Sequence, residues 1–348
     1  MAGIAVLGTG AWGTALARLA ALERIRSAQT RAGGLDDVSG VTLWEHHSER
    51  AVEMQWERVN RAYLPGFPLP ANLRVTSDLA DAVRGHEIVL LVTPSQQVRE
   101  NTRLLAPLVE PGTIVVSGSK GLEIGTHLRL TQVMAQELPM GTPIAALSGP
   151  NLAVEIARGL PAAAVVASTD EAAAEKVRAA LNTPRFRLYT SDDVVGVELG
   201  GALKNIIAMG VGASDGLHYG DNAKASFMTR ALAEIARLSI AAGANPLTLA
   251  GLAGLGDLIA TCSSPLSRNR TLGEEVAKGR PLEEVLTERK SVVEGITTTR
   301  AALEMAEALG VEMPITAAIG QVLFEGAPIR EVVSSLLGRE PKRELEGM

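Results

Sequence analysis

The most conspicuous candidate for a functional residue in this chain is a lysine inside an apolar stretch. Lys204 and the adjacent Asn205 lie in a segment whose other side chains are almost all apolar. Such a segment is predicted to be a helix buried on most faces, with its start and its acidic first turn at 191–193. Gly200 and Gly201, one turn earlier, each cost a helix roughly 1 kcal/mol relative to alanine, which indicates that another group approaches the backbone closely there. Lys204 is therefore a candidate functional residue, the alternative being a lysine that snorkels to solvent from a packed helix.

Three further segments place polar groups at the ends of predicted strands or helices. Lys120 follows a strand in a glycine-flanked loop, and Asp257 stands at a glycine-bounded helix start. The turn Ser267-Arg268-Asn269 suits a phosphate, because free N–H groups and a guanidinium meet at a predicted helix N-terminus. The alternatives are that Lys120 is a loop lysine facing solvent, that Asp257 is only the N-cap of its helix, and that the turn 267–269 is a solvated basic turn.

A glycine fingerprint near the start of the chain predicts a dinucleotide site. Gly8, Gly10 and Gly13 form the pattern GxGxxG after the apolar run 3–7 and before a predicted helix over 14–25. In this arrangement the first glycine permits a tight turn, the second lets a pyrophosphate approach the backbone, and the third lets helix and strand pack closely. The helix N-terminus then faces the phosphates. A GxGxxG placed between a strand and a helix is much more specific than the pattern alone.

The end of the second predicted strand, 41–45, bears on the choice of cofactor. In this fold an acidic residue about 20 residues after the glycines accepts hydrogen bonds from the adenosine ribose. Glu45 lies further along the chain, because the segment 26–40 is interpreted as an inserted loop. Its carboxylate would favour the free hydroxyl of NAD and repel a 2′-phosphate, with His46 softening that preference. His46 and His47 are not expected to form a metal pair, because adjacent residues do not converge on one ion, and no metal site is predicted.

The elements that must position these groups fall into two predicted domains. Residues 1–190 alternate predicted strands and helices, and several strand ends carry polar, glycine-rich loops. Residues 191–348 are predicted to be almost entirely helical, with glycines where helices stop and prolines where they start. The predicted fold class is α/β, with an N-terminal Rossmann-type doubly wound sheet and a C-terminal all-helical domain. A chain of 348 residues is long enough for two such cores.

Composition argues against several classes of protein. The net charge of −6 argues against binding to nucleic acid or to a membrane surface, since both need a basic face. Cys262 is the single cysteine, so an intrachain disulfide is excluded and a reducing compartment is expected. Neither a signal peptide nor an apolar run of ~18 residues is recognised, so we expect a cytoplasmic protein with no membrane insertion. The sequence leaves the oligomeric state open, a homodimer being one alternative.

The motifs together resemble one enzyme family, the bacterial NAD(P)-dependent glycerol-3-phosphate dehydrogenases. The matching motifs occur in the family's order and span residues 3 to about 340: Gly8-Thr-Gly-Ala-Trp-Gly-Thr-Ala, Lys120-Gly-Leu-Glu, Ser148-Gly-Pro-Asn, Leu199-Gly-Gly-Ala-Leu-Lys-Asn, Gly254-Leu-Gly-Asp-Leu, Ser267-Arg-Asn-Arg and Val292-Val-Glu-Gly. The resemblance implies reversible reduction of dihydroxyacetone phosphate by NADH or NADPH, which gives sn-glycerol 3-phosphate for phospholipid synthesis.

The resemblance also implies roles for individual residues. Lys204 matches the family's proton donor and acceptor. The positions that match its substrate contacts are Lys120, Gly149, Asn151, Lys204, Asp257, Ser267, Arg268 and Asn269. The positions that match its cofactor contacts, beside the three fingerprint glycines, are Ala11, Trp12, His46, Lys120, Ala153, Arg268, Val292 and Glu294. The chain departs from the family at the 26–40 segment, at Glu45, where a basic or neutral residue is common, and at Asn151, where threonine is frequent.

The chemistry of ketone reduction agrees with these roles. Hydride attack builds negative charge on the carbonyl oxygen, so a cationic acid must stand within hydrogen-bond reach. Lys204 would deliver the proton, Lys120 would share the electrostatic load, and Asp257 would orient Lys204. Neighbouring cations are expected to lower the pKa of each lysine towards neutrality.

Two alternatives remain at this stage. A β-hydroxyacid dehydrogenase also joins a Rossmann domain to a helical domain with a lysine, but its amide follows about one helical turn later. That position here is Ala208, and the amide is the adjacent Asn205. A non-catalytic NAD(P)H sensor on the same fold would not need Lys120, Lys204 and Asp257 together.

Overall fold

The chain divides into two compact units. The computed structural model describes residues 2–30, 40–289 and 291–340. The first unit comprises Met1–Ser119 and Leu130–Val194, and the second comprises Lys120–Arg129 and Val195–Met348.

A largely parallel sheet forms the centre of the first unit. The strands of this unit are β1 (Ile4–Leu7), β2 (Val41–Trp44), β3 (Val59–Asn60), β4 (Leu64–Pro68), β5 (Leu73–Thr76), β6 (Ile88–Leu91), β7 (Ile114–Ser117), β8 (Ile144–Ser148), β9 (Ala162–Ala167) and β10 (Phe186–Ser191). Eight of them form one sheet in the order β10-β9-β8-β7-β6-β1-β2-β5. The six neighbouring strands β8, β7, β6, β1, β2 and β5 run parallel to one another. Strand β9 is antiparallel to β8 and parallel to β10. The order of its parallel part is that of a dinucleotide-binding Rossmann sheet, which confirms the predicted fold class.

The apolar runs of the sequence explain this sheet. All residues of β1, β2, β6 and β7 are buried, as expected for parallel strands covered by helices on both faces. The helices of the first unit are α1 (Ala11–Thr30), α2 (Ser48–Glu57), α3 (Leu79–Val83), α4 (Val98–Leu105), α5 (Leu130–Glu137), α6 (Ala153–Ala157) and α7 (Glu171–Leu181). Short 3₁₀ turns lie at Ser95–Gln97 and Ala106–Leu108.

One local prediction in this unit was wrong, and two local features were not predicted. Helix α1 continues through Thr30, so the first five residues assigned to the 26–40 loop are helical, and 31–39 lie outside the described residues. The proline-rich segment after α2 contains the two-stranded antiparallel pair β3–β4. Strand β10 was missed because the exposed Arg187 and Thr190 interrupt the apolar run that marks a strand buried on both faces, and it pairs with β9 up to Ser191.

Helices build the second unit. They are α8 (Val194–Gly216), α9 (Gly220–Ala241), α10 (Pro246–Leu249), a π-helical turn (Leu252–Gly256), α11 (Asp257–Ser263), α12 (Arg268–Ala277), α13 (Leu282–Thr287), α14 (Glu294–Leu309), α15 (Pro314–Phe324) and α16 (Ile329–Leu337). Within the described part of this unit the only extended pairing is an isolated bridge between Leu122 and Arg129. Helix α8 begins at Val194 rather than Ser191, because the backbone of Ser191 is already paired in the sheet.

The segment 120–129 was predicted to lie in the first domain, and the structure groups it with the second unit. Leu122 is fully buried in the apolar cluster of that unit. Arg129 pairs with Glu198 of α8, with 2.6 Å between Nη1 and Oε2. These contacts place Lys120 in the same unit as Lys204.

Close backbone packing holds α8 against its neighbours. A β-carbon on Gly200 would lie 2.8 Å from the carbonyl oxygen of Ala253 in the π-helical turn. A β-carbon on Gly273 of α12 would lie 1.8 Å from the carbonyl oxygen of Met209. The prediction that another group approaches the backbone of α8 closely is confirmed at Gly200, where that group is the backbone of Ala253. Side chains on α8, α11 and α12 are thereby held at fixed separations.

Two stretches, Val194–Gly216 and Pro246–Ser263, are long and apolar enough to cross a membrane by length and composition. The expectation that no apolar run of about 18 residues exists was therefore wrong when a run is judged by the mean hydropathy of an 18-residue window. The most apolar window of the first stretch is 78% buried inside the protein, which is the behaviour of a core helix, and the two together are weak evidence for a membrane span.

Candidate active site

The glycine fingerprint forms the turn between β1 and α1. Gly8 has a φ of +119°, and a β-carbon there would lie 2.4 Å from the carbonyl oxygen of Val92. A β-carbon on Gly13 would lie 2.0 Å from the carbonyl oxygen of Gly8, whereas nothing lies within 4 Å of the corresponding position on Gly10. The first and third glycines are thus required by packing, and the second leaves the backbone open in front of the N-terminus of α1, which begins at Ala11.

Buried polar atoms without partners lie beside this turn and after β8. The indole Nε1 of Trp12 and both side-chain amide atoms of Asn151 are buried without a hydrogen-bond partner among the described residues. Gly149 has a φ of +144°, and a β-carbon there would lie 2.8 Å from Cα of Ala164, so the turn before Asn151 requires glycine. Ala153 begins α6 directly afterwards. Buried polar atoms are normally paired, so these orphans mark positions where a ligand would supply the partner.

Glu45 occupies a different environment from the one predicted. Its side chain has no exposed surface, and its carboxylate accepts hydrogen bonds from the hydroxyl of Thr9 and from the backbone N–H of His47, the latter at 2.9 Å. Arg50 on α2 donates to the same carboxylate at 2.6 Å and to Thr9 Oγ1 at 3.2 Å. The carboxylate is therefore neutralised internally. The cationic or ionisable basic groups that reach the surface after β2 are the exposed His46 and His47 and the partly exposed guanidinium of Arg50.

The two histidines also depart from expectation. One potential ligand atom from each of Glu45, His46 and His47 lies within 4.8 Å of the others, so adjacent residues do converge here. The cause is the chain bend in which Glu45 accepts the backbone N–H of His47. Because the Glu45 carboxylate already binds Arg50 and Thr9, this cluster is a hydrogen-bonded turn. Partial burial lowers the pKa of His46, against the attraction of Glu45, so that its ring is mostly neutral at pH 7.

In the second unit, one aspartate holds two lysines. Asp257 is the first residue of α11 and is only 1% exposed. Its Oδ1 lies 2.5 Å from Nζ of Lys204 on α8, and its Oδ2 lies 2.6 Å from Nζ of Lys120. The prediction that these three residues act together is supported by this geometry, because a single carboxylate bridges both ammonium groups.

The environment of Lys204 lowers its pKa. Lys204 is almost completely buried, and burial lowers its pKa from 10.5 to about 8. The attraction of Asp257 raises this pKa and the repulsion of Lys120 lowers it. A lysine with a pKa of about 8 is mostly protonated at pH 7 and loses its proton within the range in which an enzyme works.

One member of this cluster was missed at the sequence level. Thr261 donates its hydroxyl to Asp257 Oδ1 at 3.2 Å, and Nζ of Lys204 donates to Thr261 Oγ1 at 2.5 Å. The signal was available, since residues four apart on a helix share a face and Asp257 was already a candidate. The neighbouring Cys262 is buried, and burial raises the pKa of its thiol to about 12, which excludes it as a thiolate nucleophile at neutral pH.

The predicted phosphate turn forms the N-terminus of α12. Ser267 is the N-cap, and its hydroxyl accepts a hydrogen bond from the backbone N–H of Arg270 at 3.3 Å. The backbone N–H groups of Arg268 and Asn269 stand in the first turn, where a helix offers no internal acceptor. Arg268 is exposed and donates to the carbonyl of Val292 at 2.9 Å, just before Glu294 begins α14.

Asn269 connects this turn to the lysine helix. Its Nδ2 donates to Asn205 Oδ1 at 2.9 Å, and its Oδ1 accepts from the backbone N–H of Gly295 at 2.9 Å. Both amide side chains are buried. The phosphate turn is therefore tied through one side chain to the residue that follows Lys204.

Comparison with known proteins gives a consistent result. The model of a family described as NAD-dependent glycerol-3-phosphate dehydrogenase N-terminus matches residues 3–174, and that of the corresponding C-terminus matches residues 193–334. Proteins named glycerol-3-phosphate dehydrogenase [NAD(P)+] are 46% identical in Thermobifida fusca, over 100% of both chains, and 49% identical in Desulfitobacterium hafniense, over 99% of this chain and 94% of the other.

Solved structures agree with these matches. A crystal structure of glycerol-3-phosphate dehydrogenase from Coxiella burnetii has a TM-score of 0.89 and 38% identity, covering 97% of this chain and 99% of that one. A ketopantoate reductase from Ralstonia eutropha shares only the fold, with a TM-score of 0.56 and 15% identity over 96% of this chain and 99% of that one.

Proposed function

The chain belongs to the NAD-dependent glycerol-3-phosphate dehydrogenase family, and from that premise we propose how its own residues carry out the reaction. The enzyme is an NAD(P)-dependent oxidoreductase that reduces dihydroxyacetone phosphate to glycerol 3-phosphate. The observation that carries the assignment of roles is the carboxylate of Asp257 held between the ammonium groups of Lys204 and Lys120.

Lys204 is the proton donor in this proposal. The reduced dinucleotide supplies a hydride to the carbonyl carbon when it is bound. Lys204 protonates the oxygen on which negative charge develops, and the neutral amine takes the proton back in the reverse direction. Its lowered pKa makes both directions accessible near neutral pH. Lys120 contributes a second positive charge to the developing oxyanion, while Asp257 and Thr261 fix the direction of Nζ of Lys204.

The substrate phosphate is assigned to the N-terminus of α12. The first-turn N–H groups of Arg268 and Asn269 and the Arg268 guanidinium are suited to a dianion. Asn269 already uses its side chain to hold Asn205 and Gly295, so we assign it a backbone contact and a positioning role. Phosphate binding remote from the reacting carbon would then orient the carbonyl.

The dinucleotide is assigned to the first unit. The open backbone at Gly10, the N-terminus of α1 and the unpaired indole N–H of Trp12 suit the pyrophosphate and its surroundings. The partly exposed guanidinium of Arg50, aligned by Glu45, suits a 2′-phosphate. We therefore keep the expectation that both cofactors bind, and we replace the expected preference for NADH with a contribution of Arg50 that favours NADPH.

The wider biological setting is also a proposal. Glycerol 3-phosphate is the backbone of glycerophospholipids, so supply of lipid synthesis in the cytoplasm is the expected role. A homodimer without membrane insertion is the expected form.

The test is a single-turnover reaction of the purified protein with NADH or NADPH and a choice of carbonyl substrates. Dihydroxyacetone phosphate should yield glycerol 3-phosphate, identified by mass spectrometry. Ketopantoate and simple 3-oxo acids should react at least a thousandfold more slowly. Preferential turnover of a 3-oxo acid would support a β-hydroxyacid dehydrogenase, and binding of NADH without any turnover would support a sensor.

A further inference from the structure

The second unit contains a large hollow that the proposed reaction does not use. Its volume is about 1400 Å³, which exceeds the usual 300–1,000 Å³ of a small-molecule site. Residues of α8, α9, α12, α15 and α16 line it. The lining is mainly apolar, and it includes Leu217, Phe227, Leu272, Ile319 and Val333. A hollow of this size and character is suited to a long, flexible apolar chain.

Charged residues enter the hollow from one face of α9. Arg230, Glu234 and Arg237 all line it, and their spacing of four and three residues puts them on one side of the helix. The Glu234 carboxylate is buried and accepts the backbone N–H groups of Ile315 and Thr316, at 2.7 and 3.1 Å. Its charge is thus directed at the first turn of α15.

Arg237 differs from its neighbour in having no such partner. It is half-buried, and it forms no hydrogen bond or ion pair with any residue in the described part of the chain; Glu234 is near enough to interact electrostatically. The remaining carboxylates of the lining, Glu312 and Glu340, are exposed, as is Arg339. A half-buried guanidinium on an apolar wall is complementary to an anionic group that carries an apolar chain.

We propose that this hollow binds an amphipathic anion of the long-chain fatty acid class. The alkyl chain occupies the apolar space between α8, α9 and α16, and the carboxylate meets the guanidinium of Arg237, with Arg230 two turns away on the same helix face. The site is separate from the residues assigned to the ketone and to the dinucleotide, so binding there does not depend on the proposed function.

The hollow also touches the helices that carry the catalytic groups. Met209, five residues after Lys204 on α8, and Gly273, four residues after Asn269 on α12, both line it. These two residues meet at the close backbone contact between α8 and α12. A chain inserted against them would alter the support of the phosphate turn, so occupancy is expected to raise the KM for dihydroxyacetone phosphate, a consequence that does rest on the proposed function.

The test is titration of the full-length protein, without substrate or cofactor, with sodium tetradecanoate below its micellar concentration, followed by isothermal calorimetry. We expect saturable binding, and at least tenfold weaker binding of tetradecanol and of acetate, which each lack one half of the amphiphile. Arg237→Leu should weaken tetradecanoate binding at least tenfold, while Arg330→Leu, on α16 but outside the lining, should leave it unchanged. Ala213→Phe, which fills part of the hollow, should also weaken it.

Other results would overturn the proposal. Equal loss of binding in Arg237→Leu and Arg330→Leu would mean that the probe binds the surface unspecifically. Absence of binding, together with a change from dimer to monomer in Ala213→Phe by sedimentation, would mean that a second copy covers the hollow. If tetradecanoate binds as predicted but the KM is unchanged, the site stands and the coupling to α8 and α12 is wrong.

Discussion

At the scale of single residues, the chemistry of this protein depends on how a few charges are balanced in places that water does not reach. Lys204 has a pKa of about 8 because burial outweighs the attraction of Asp257. Glu45, which was expected to meet the cofactor, is buried against Arg50 and Thr9. In both cases the residue type was visible in the sequence, whereas its partner decided what the residue could do.

The opposing influences on Lys204 predict shifts of opposite sign in the pH profile. Reduction of the ketone requires protonated Lys204, so kcat/KM should fall as the pH rises through about 8. Asp257→Asn removes an attraction that raises this pKa, and the falling limb should move to lower pH. Lys120→Met removes a repulsion that lowers it, and the limb should move to higher pH.

The measurement is kcat/KM for dihydroxyacetone phosphate from pH 6 to 10 in the wild type and in the two variants. The positions of the limbs are compared, whatever the loss in rate. Limbs that move in the same direction in both variants, or that stay in place, would show that another group titrates.

Arg268→Ala should separate phosphate recognition from the rest of the site. The variant should raise the KM for dihydroxyacetone phosphate and also lower kcat, since the phosphate contact positions the carbonyl. Unphosphorylated dihydroxyacetone should be reduced at an unchanged rate. The matched control is Arg280→Ala, which removes a surface arginine paired with Glu284. Equal losses of activity with both ketones would mean that Arg268 contacts the cofactor rather than the substrate phosphate.

Arg50→Ala should change the choice of cofactor. The partly exposed guanidinium of Arg50 would be the main positive charge for a 2′-phosphate, because the pKa of His46 is lowered and its ring is mostly neutral at pH 7. A hydrogen bond to a charged group contributes about 1.5–3 kcal/mol, so the variant should lose at least tenfold in NADPH affinity and little in NADH affinity. The readout is quenching of protein fluorescence without substrate, and equal losses for both cofactors would place Arg50 away from the 2′ position.

At the scale of helices and strands, glycines set the distances on which the site depends. The first and third fingerprint glycines are fixed by packing, and Gly10 faces open space. In the second unit, Gly273 permits the contact between α12 and α8. The three fingerprint glycines were recognisable from the sequence by their pattern, whereas Gly273 was not singled out.

Gly273→Ala and Gly10→Ala should therefore fail in different ways. The new β-carbon of Gly273→Ala would lie 1.8 Å from the carbonyl oxygen of Met209, and overpacking of this kind lowers the free energy of unfolding by about 1–3 kcal/mol or more. Gly10→Ala should keep the free energy of unfolding within about 0.5 kcal/mol of the wild-type value and weaken dinucleotide binding. Chemical denaturation and NADH titration of both variants check this, with Gly338→Ala, which meets only ordinary contacts, as control. A stable Gly273→Ala would contradict the assigned role of that contact.

At the scale of the whole chain, the order of elements was largely predictable and their assignment to units was not. Short, mainly apolar runs indicated seven strands of the main sheet, because parallel strands are buried on both faces. Strand β10 and the β3–β4 pair lack that pattern. Nothing in the local sequence of 120–129 shows that Leu122 packs in the helical unit, since the buried residues with which it clusters come from position 199 onward.

The same limit explains what could be predicted of the site. Lys204, Lys120 and Asp257 were singled out by motif and by family resemblance, and the structure brings their charged groups together. Thr261 and Arg50 have no motif of their own, and each gains a role from a nearby residue, Thr261 from Asp257 one helical turn away and Arg50 from Glu45 five residues earlier. Only the contact of Thr261 with Lys204 depends on packing between distant segments.

The central claim is that Lys204 is the proton donor, and a single-turnover measurement with Lys204→Ala tests it most directly. The variant is mixed with NADH and saturating dihydroxyacetone phosphate, and the oxidation of NADH is followed while its dissociation constant is measured separately. A general acid contributes about 10²–10⁴-fold in rate, so we predict a loss of at least a hundredfold with NADH affinity within about tenfold of the wild type. Retention of more than about a tenth of the wild-type rate, measured against that expected contribution, would contradict the account.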